Sequence, residues 1–213
     1  MLVNDKFRNK SWYNSFWSNQ PRAFGDSNAE IKNIIVNIYN ELRSKNISRP
    51  RAIDIASGNG RYSTLLEPLG FDTIAIDISE IACEILKNNL KEKVKNVKVL
   101  CENYLTFNEL SNGSFHLVFS SGLLEELTHD QQKIAIEKMK RMTTPFGFIL
   151  IKYCLEIKNR GQQVDDGSVE SQFDAKNWKV IYKLENKDMK KYPQGVTGED
   201  YIRTGIFYAQ KYN

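Results

Sequence analysis

The chain is poor in the residues that build metal centres and covalent cross-links. It has two histidines, His116 and His129, and three scattered cysteines, Cys83, Cys101 and Cys154, with no close Cys pair. That spacing provides no zinc or iron ligand set, and the expected metal content is none. An odd number of dispersed cysteines among apolar neighbours reads as buried, reduced thiols of a cytoplasmic protein rather than a disulfide framework. No apolar run approaches membrane-span length, and the residues from Met1 to Trp12 mix Asn, Lys, Asp and Arg with apolar ones instead of forming a signal segment. Only five prolines occur, and there is no Pro-rich linker or internal repeat. A net charge of +4 spread over the chain gives no concentrated basic footprint for nucleic acid.

What is present is an alternation of element types. Six aromatics crowd the first segment, Phe7, Trp12, Tyr13, Phe16, Trp17 and Phe24, too many for a free tail. Residues 1–26 are therefore expected to fold over the rest, as core packing or as an aromatic lid, leaving 27–213 as one domain. Ser27 with Glu30 makes a capping box for a helix from about Asn28 to Ser44, with Ile31, Ile34, Ile35, Ile38 and Leu42 at helical spacing. Ala52 to Ala56 reads as a strand, Gly58 and Gly60 as a turn, and Tyr62 to Leu69 as a helix closed by Gly70. Thr73 to Asp77 is a second strand, and Ser79 caps a helix bearing Ile81, Ala82, Ile85, Leu86 and Leu90. Val97 to Cys101, Phe115 to Ser120 and Phe146 to Tyr153 are further strands, with a helix from Thr128, boxed by Gln131, through Met139 before the last.

This succession predicts an α/β fold, a doubly wound and mostly parallel seven-stranded sheet. Trp178 to Leu184 and Tyr201 to Gln210 lack a helix between them and predict an antiparallel C-terminal edge hairpin. In such sheets a ligand sits beyond the carboxyl ends of the strands where strand order reverses, so Asp54 to Gly60 lies under it. Asp77, about twenty residues past the glycines, is placed to accept both hydroxyls of a ribose. These features also suit a nicotinamide cofactor. Ser63, however, stands where a dinucleotide fingerprint needs its third glycine, and Asp54 precedes the turn, where a carboxylate can face a cationic amino group.

The ordered segments AIDIASGNGRYS, IAIDIS, VKVLCENYLTF, FHLVFSSGLLEEL and MKRMTTPFGFILI resemble the motifs of class I S-adenosylmethionine-dependent methyltransferases. The resemblance implies S-adenosylmethionine as cofactor, with Asp54, Ala56, Ser57, Gly58, Gly60 and Arg61 around the methionine part. It implies Asp77 on the ribose, Ile78 on adenine, Glu102 at the adenine amino group beside Asn103 and Tyr104, and Ser120 near the methionine amine. Ala56 stands where the family usually has glycine, a substitution suited to negative φ. Glu102 and His116 replace the commoner aspartates. GNGRYS and the ending NWKVIYKLENKDMKKYPQGVTGEDYIRTGIFYAQK are similar to the small tellurite-resistance type of methyltransferase, which implies Arg203 as an anion-binding position. The family's His-Arg pair in the ribbon turn has no counterpart; Met189, Lys190 and Lys191 stand nearby.

The expected activity is methyl transfer to a small-molecule acceptor, by a monomer or homodimer with neither membrane nor nucleic acid as partner. An amine or hydroxyl acceptor must lose a proton, which makes Glu125, Glu126 and Tyr153 candidates for the base; with the Arg203 that the resemblance implies, Glu125 and Tyr153 make up the expected catalytic set. His129, Lys187, Lys190 and Lys191 read as solvated residues. The alternatives are a catalytically silent S-adenosylmethionine-binding regulatory or scaffold module, a tRNA methyltransferase and a nicotinamide-dependent reductase.

Overall fold

The computed structural model describes residues 9–22, 28–90, 96–158, 161–191 and 201–212. Seven strands form one sheet: β1 Arg51–Ile55, β2 Asp72–Asp77, β3 Val97–Cys101, β4 Phe115–Ser121, β5 Thr143–Ile157, β6 Trp178–Glu185 and β7 Tyr201–Lys211. Their order is β3-β2-β1-β4-β5-β7-β6. The first five run parallel, and β7 joins both β5 and β6 antiparallel. Two-residue pieces, Gly161–Gln162 on β5 and Lys190–Lys191 on β7, extend the edge. The chain leaves β1 toward β2 and β3 and then crosses back to β4, so strand order reverses between β1 and β4. The turn after β1 opens there.

Among the described residues there are five α-helices, α1 Lys10–Asn19, α2 Ala29–Ser44, α3 Ser63–Leu69, α4 Glu80–Leu90 and α5 His129–Met142, of which α1 packs on α4. The apolar stripe of α2, Ile31, Ile35, Ile38 and Leu42, packs with Leu66 on the face carrying Ala52, Leu117, Phe119, Phe148 and Leu150. The other face, Ile53, Ile55, Val118, Ile149 and Ile151, receives Ala135, Ile136, Met139 and Met142 of α5. Alternation along each parallel strand thus supplies both layers, which is why these strands read as unbroken apolar runs.

Several boundaries differ from expectation. Asn28, not Ser27, caps α2: its side chain accepts the Ile31 N–H at 3.1 Å, and Ser27 lies outside the described residues, as do Phe7 and Phe24. The Thr128–Gln131 box forms as expected, and α5 runs past Met139 to Met142 because Thr143 turns directly into β5. β5 begins before Phe146 and continues past Tyr153, since residues 154–157 keep pairing with β7 after β4 has ended. His116 has a structural role. Its Nδ1 accepts the Arg51 N–H at 3.0 Å and fixes the start of β1 against β4.

Candidate active site

The first strand delivers Asp54, buried to 2% exposure, to the end of the sheet. Its Oδ2 accepts the Ser63 hydroxyl at 2.6 Å. Burial pushes this carboxyl up to about 7, and the nearby Asp77 adds to the shift, while Ser63 and the Arg61 charge oppose it. Asp77, at the end of β2, is also buried, and its burial raises it as well. One oxygen accepts the Gly58 N–H at 2.8 Å and the other the Ser79 N–H at 2.9 Å. Each carboxylate oxygen has capacity for a second hydrogen bond, so Asp77 can hold the loop and still accept two hydroxyls.

Between these acids the chain bends sharply. Ala56 has φ of +58°, the left-handed region, not the negative value that its side chain suggests. The bend is dictated by its surroundings: Ser57 N–H reaches back to the Ile76 carbonyl at 3.2 Å, and Gly60 N–H closes on the Ser57 carbonyl at 2.9 Å. A Cβ at Gly58 would lie 2.7 Å from the Trp17 ring, so only glycine fits beneath that indole. Ser57 Oγ is buried with no hydrogen-bond partner among the described residues, an orphan polar group that a ligand can satisfy. Ser120, fully buried, donates to the Ile55 carbonyl at 3.1 Å and locks β4 to the end of β1. Arg61 lies over the Tyr62 ring, 4.6 Å from its centroid.

The third strand brings Glu102 alongside, its N–H donating to the Asp77 carbonyl at 2.9 Å. Ile78 is half-buried next to Asp77, and Glu102 and Asn103 are exposed. The Asn103 side chain accepts the Leu105 N–H and shapes the following turn. Tyr104 diverges from this group. Its hydroxyl donates to the Ala135 carbonyl of α5 at 3.2 Å, and its ring is buried in the core on that side. Lys138 of α5, which sequence reasoning did not single out, pins the same turn by donating to the Tyr104 carbonyl at 2.6 Å and to the Phe107 carbonyl.

The aromatic segment packs on this site. Phe16 and Trp17 are buried against Ala82 of α4, with Ile81 and Ile85 beside them. Asn14 accepts the Ser79 hydroxyl at 2.8 Å, and Asn59 donates to the Pro21 carbonyl at 3.2 Å. The contacts of α1 and the residues just after it therefore fall on the turn at Gly58 and Asn59 and on Ser79, two residues past Asp77.

Beyond β4 lies a single turn of 3₁₀ helix, Leu124–Glu126. Gln132 holds it by donating to the Leu124 carbonyl at 2.9 Å and the Gln163 carbonyl at 3.0 Å. Among the described residues Glu125 Oε2 is buried with no hydrogen-bond partner, and burial, with Glu126 adding, pushes the carboxyl up to about 7 against its own N–H, the opposing Lys152 charge and the Cys154 N–H. Tyr153 is buried, its hydroxyl donating to Glu185 at 3.0 Å; burial and the neighbouring carboxylate push the phenol well up, which suits a proton donor better than a base. Arg203 forms a two-pronged pair with Asp166, at 2.6 and 2.8 Å, and meets Glu156 at 3.4 Å. His129 is exposed beside Asp165, and Lys187 and Lys190 are exposed. Among the described residues no group of three His, Cys, Asp or Glu is arranged to hold a metal ion, and no helix is long and apolar enough to cross a membrane.

No curated protein sequence matches the chain. The methyltransferase domain family matches residues 52–147, the stretch from β1 into β5. Solved structures share the fold at low identity. ChlM, a magnesium protoporphyrin IX methyltransferase from Synechocystis PCC 6803 with bound SAH, has a TM-score of 0.68 at 11% identity, over 94% of this chain and 96% of its own. TehB from Haemophilus influenzae gives 0.66 at 17%, over 94% and 67%. The N-methyltransferase NodS from Bradyrhizobium japonicum WM9, in complex with S-adenosyl-l-homocysteine, gives 0.65 at 16%, over 93% and 98%. The family match over residues 52–147, the strand order and the two carboxylates flanking the turn together support a class I S-adenosylmethionine-dependent methyltransferase domain.

Proposed function

We propose that this chain binds S-adenosylmethionine in the bend between β1 and α3 and transfers its methyl group to a small-molecule acceptor. The observation that carries the reading is the pair of buried acids, Asp54 and Asp77, on either side of a turn whose Ser57 hydroxyl has no partner among the described residues. Asp77 holds the ribose hydroxyls; Asp54, with Ser57, Arg61 and Ser120 around it, sets the charge and polarity at the amino-acid end; Ile78, Glu102 and Asn103 border the adenine. Gly58 and Gly60 let the backbone approach, and α1, with Trp17 over Gly58, forms the lid over them. Bound there, the cofactor supplies an electrophilic methyl group on a cationic sulfur.

The remaining work falls to the chain: aligning the acceptor, excluding water and removing a proton where the acceptor carries one. Glu125 is the group for the last task. It follows the strand that Ser120 locks to the cofactor turn, and a carboxyl poised near neutrality accepts a proton from an amine or hydroxyl efficiently. Arg203, already matched by two carboxylates, shapes the acceptor wall through Asp166 and Glu156. A cytoplasmic enzyme acting as monomer or homodimer is the setting proposed for it.

The test is equilibrium binding of S-adenosylmethionine followed by incubation of labelled cofactor with amines, phenols, thiols and oxyanions. Binding with transfer to a protic acceptor supports the proposal. Binding without any product assigns a silent binding module, and absence of binding overturns the cofactor site.

A further inference from the structure

Two of the three cysteines meet beside Asp77. Along β2 and β3 the residues Ala75 and Val99 share the face on which α4 packs, through Leu86 and Leu90. Side chains alternate along a strand, so Asp77 and Cys101, two residues further, project to that same side. Cys101 is the register partner of Asp77. From above, Cys83 of α4 places its sulfur 3.7 Å from both the Asp77 carbonyl and the carbonyl of Leu100, the residue that precedes Cys101. Cys83 is buried, Cys101 half-buried, and Cys154 sits apart on β5 against the Glu156 and Arg203 carbonyls.

We propose that Cys83 and Cys101 form a peroxide-sensitive dithiol whose oxidation to a disulfide weakens cofactor binding through Asp77. The oxidant is hydrogen peroxide. The Cys101 thiolate attacks one peroxide oxygen, the O–O bond breaks, and the departing hydroxide takes up the thiol's proton as water, leaving Cys101 as a sulfenic acid. The Cys83 sulfur then attacks the Cys101 sulfur; the S–O bond breaks, and the hydroxyl leaves as water with the Cys83 proton. Two thiols and one peroxide become one disulfide and two waters. Half-exposed Cys101 is the thiol that peroxide reaches, whereas burial pushes the Cys83 thiol up and keeps it protonated as the resolving partner.

The bond draws the sulfurs to about 2 Å, shifting α4 against the end of β3. Ser79, immediately before α4, donates its N–H to Asp77 Oδ1, so a displaced helix tilts the carboxylate that the ribose needs. This effect on affinity rests on the cofactor site proposed above; formation of the disulfide does not.

Full-length protein is treated with equimolar hydrogen peroxide, then examined by thiol titration, non-reducing peptide mapping and S-adenosylmethionine titration. The expected result is loss of two thiols, a cross-linked Cys83–Cys101 peptide, affinity lowered about tenfold or more, and recovery with dithiothreitol. Cys101→Ser, with Cys83→Ala as a second variant in case the first folds poorly, binds cofactor when reduced and is insensitive to peroxide. Three surviving thiols, a bridge to Cys154, or a Cys83–Cys101 bridge with unchanged affinity overturns the proposal. Reduced wild-type protein that binds no cofactor, yet forms the bridge, overturns the cofactor site and the regulation together while leaving the dithiol established.

Discussion

The carboxylate of Asp77 and the backbone N–H of Gly58 are joined at 2.8 Å, so the residue that ends β2 is tied to the turn that ends β1. Ser79 N–H holds the other oxygen. Asp77→Asn presents an amide NH₂ to one of these donors and leaves a buried N–H unsatisfied. The expected outcome is a loss of about 1–3 kcal/mol in stability, read by urea unfolding, and a fall in S-adenosylmethionine affinity of about tenfold or more. Unchanged affinity in a folded variant would show that the ribose is held elsewhere.

Asp54 gives a pH signature with a definite sign. Its carboxyl titrates near 4 when unfolded and is pushed up to about 7 when folded, so between these values the folded state holds the extra proton. Stability therefore falls as pH rises from about 4 to about 7 and then levels off, and Glu125 contributes in the same direction. A cationic amino group beside Asp54 favours the carboxylate, so cofactor affinity rises over the same approach to pH 7 with release of a proton. Calorimetry in buffers of differing ionisation enthalpy reads that proton, and Asp54→Asn removes it.

Ala56 occupies left-handed backbone that its Cβ disfavours by about 1–2 kcal/mol. Glycine relieves this but gives back about 0.5–1 kcal/mol of chain entropy. Ala56→Gly is expected to stabilise by about 0.5–1 kcal/mol, visible as a melting temperature higher by about 1–4 °C, and Ala56→Val to destabilise. A lower melting point for the glycine variant would contradict the strain.

Tyr153 occupies the space over Gly205, where an added Cβ would fall 2.4 Å from its ring. The two residues are register partners, and Glu185 pairs with Gly205 from the other side, so the ring crosses a strand without a side chain to reach its carboxylate. Gly205→Ala must displace this buried tyrosine. A loss of about 1–3 kcal/mol is expected in denaturant unfolding.

The parts of this architecture legible in the sequence are those set by local rules. Apolar runs, glycine punctuation and the Thr128–Gln131 box placed the strands and α5, and spacing alone put Asp54 and Asp77 beside one turn. Ser27 and Asn28 are both competent caps one residue apart, and neighbouring residues do not rank them. The left-handed backbone of Ala56 is imposed by β2, whose Ile76 carbonyl captures Ser57 N–H, and so was invisible from residue type. Contacts between distant segments were equally hidden: Arg203 with Asp166, Lys138 with the Tyr104 carbonyl, Trp17 over Gly58. Tyr104 shows the same limit. Its position in a motif suggested proximity to the adenine, but its hydroxyl is claimed by α5.

The length of β5 has an evolutionary corollary. Its pairing with β4 stops at Lys152, and among the described residues 153–157 go on pairing with β7 and the short piece 161–162. Tyr153 and Glu156 are borne on that projecting flap, Glu185 and Arg203 pair with them, and Asp166 pairs in turn with Arg203. Mutation can therefore resculpt this overhang while the ends of β1 and β2, with Asp54 and Asp77, stay untouched.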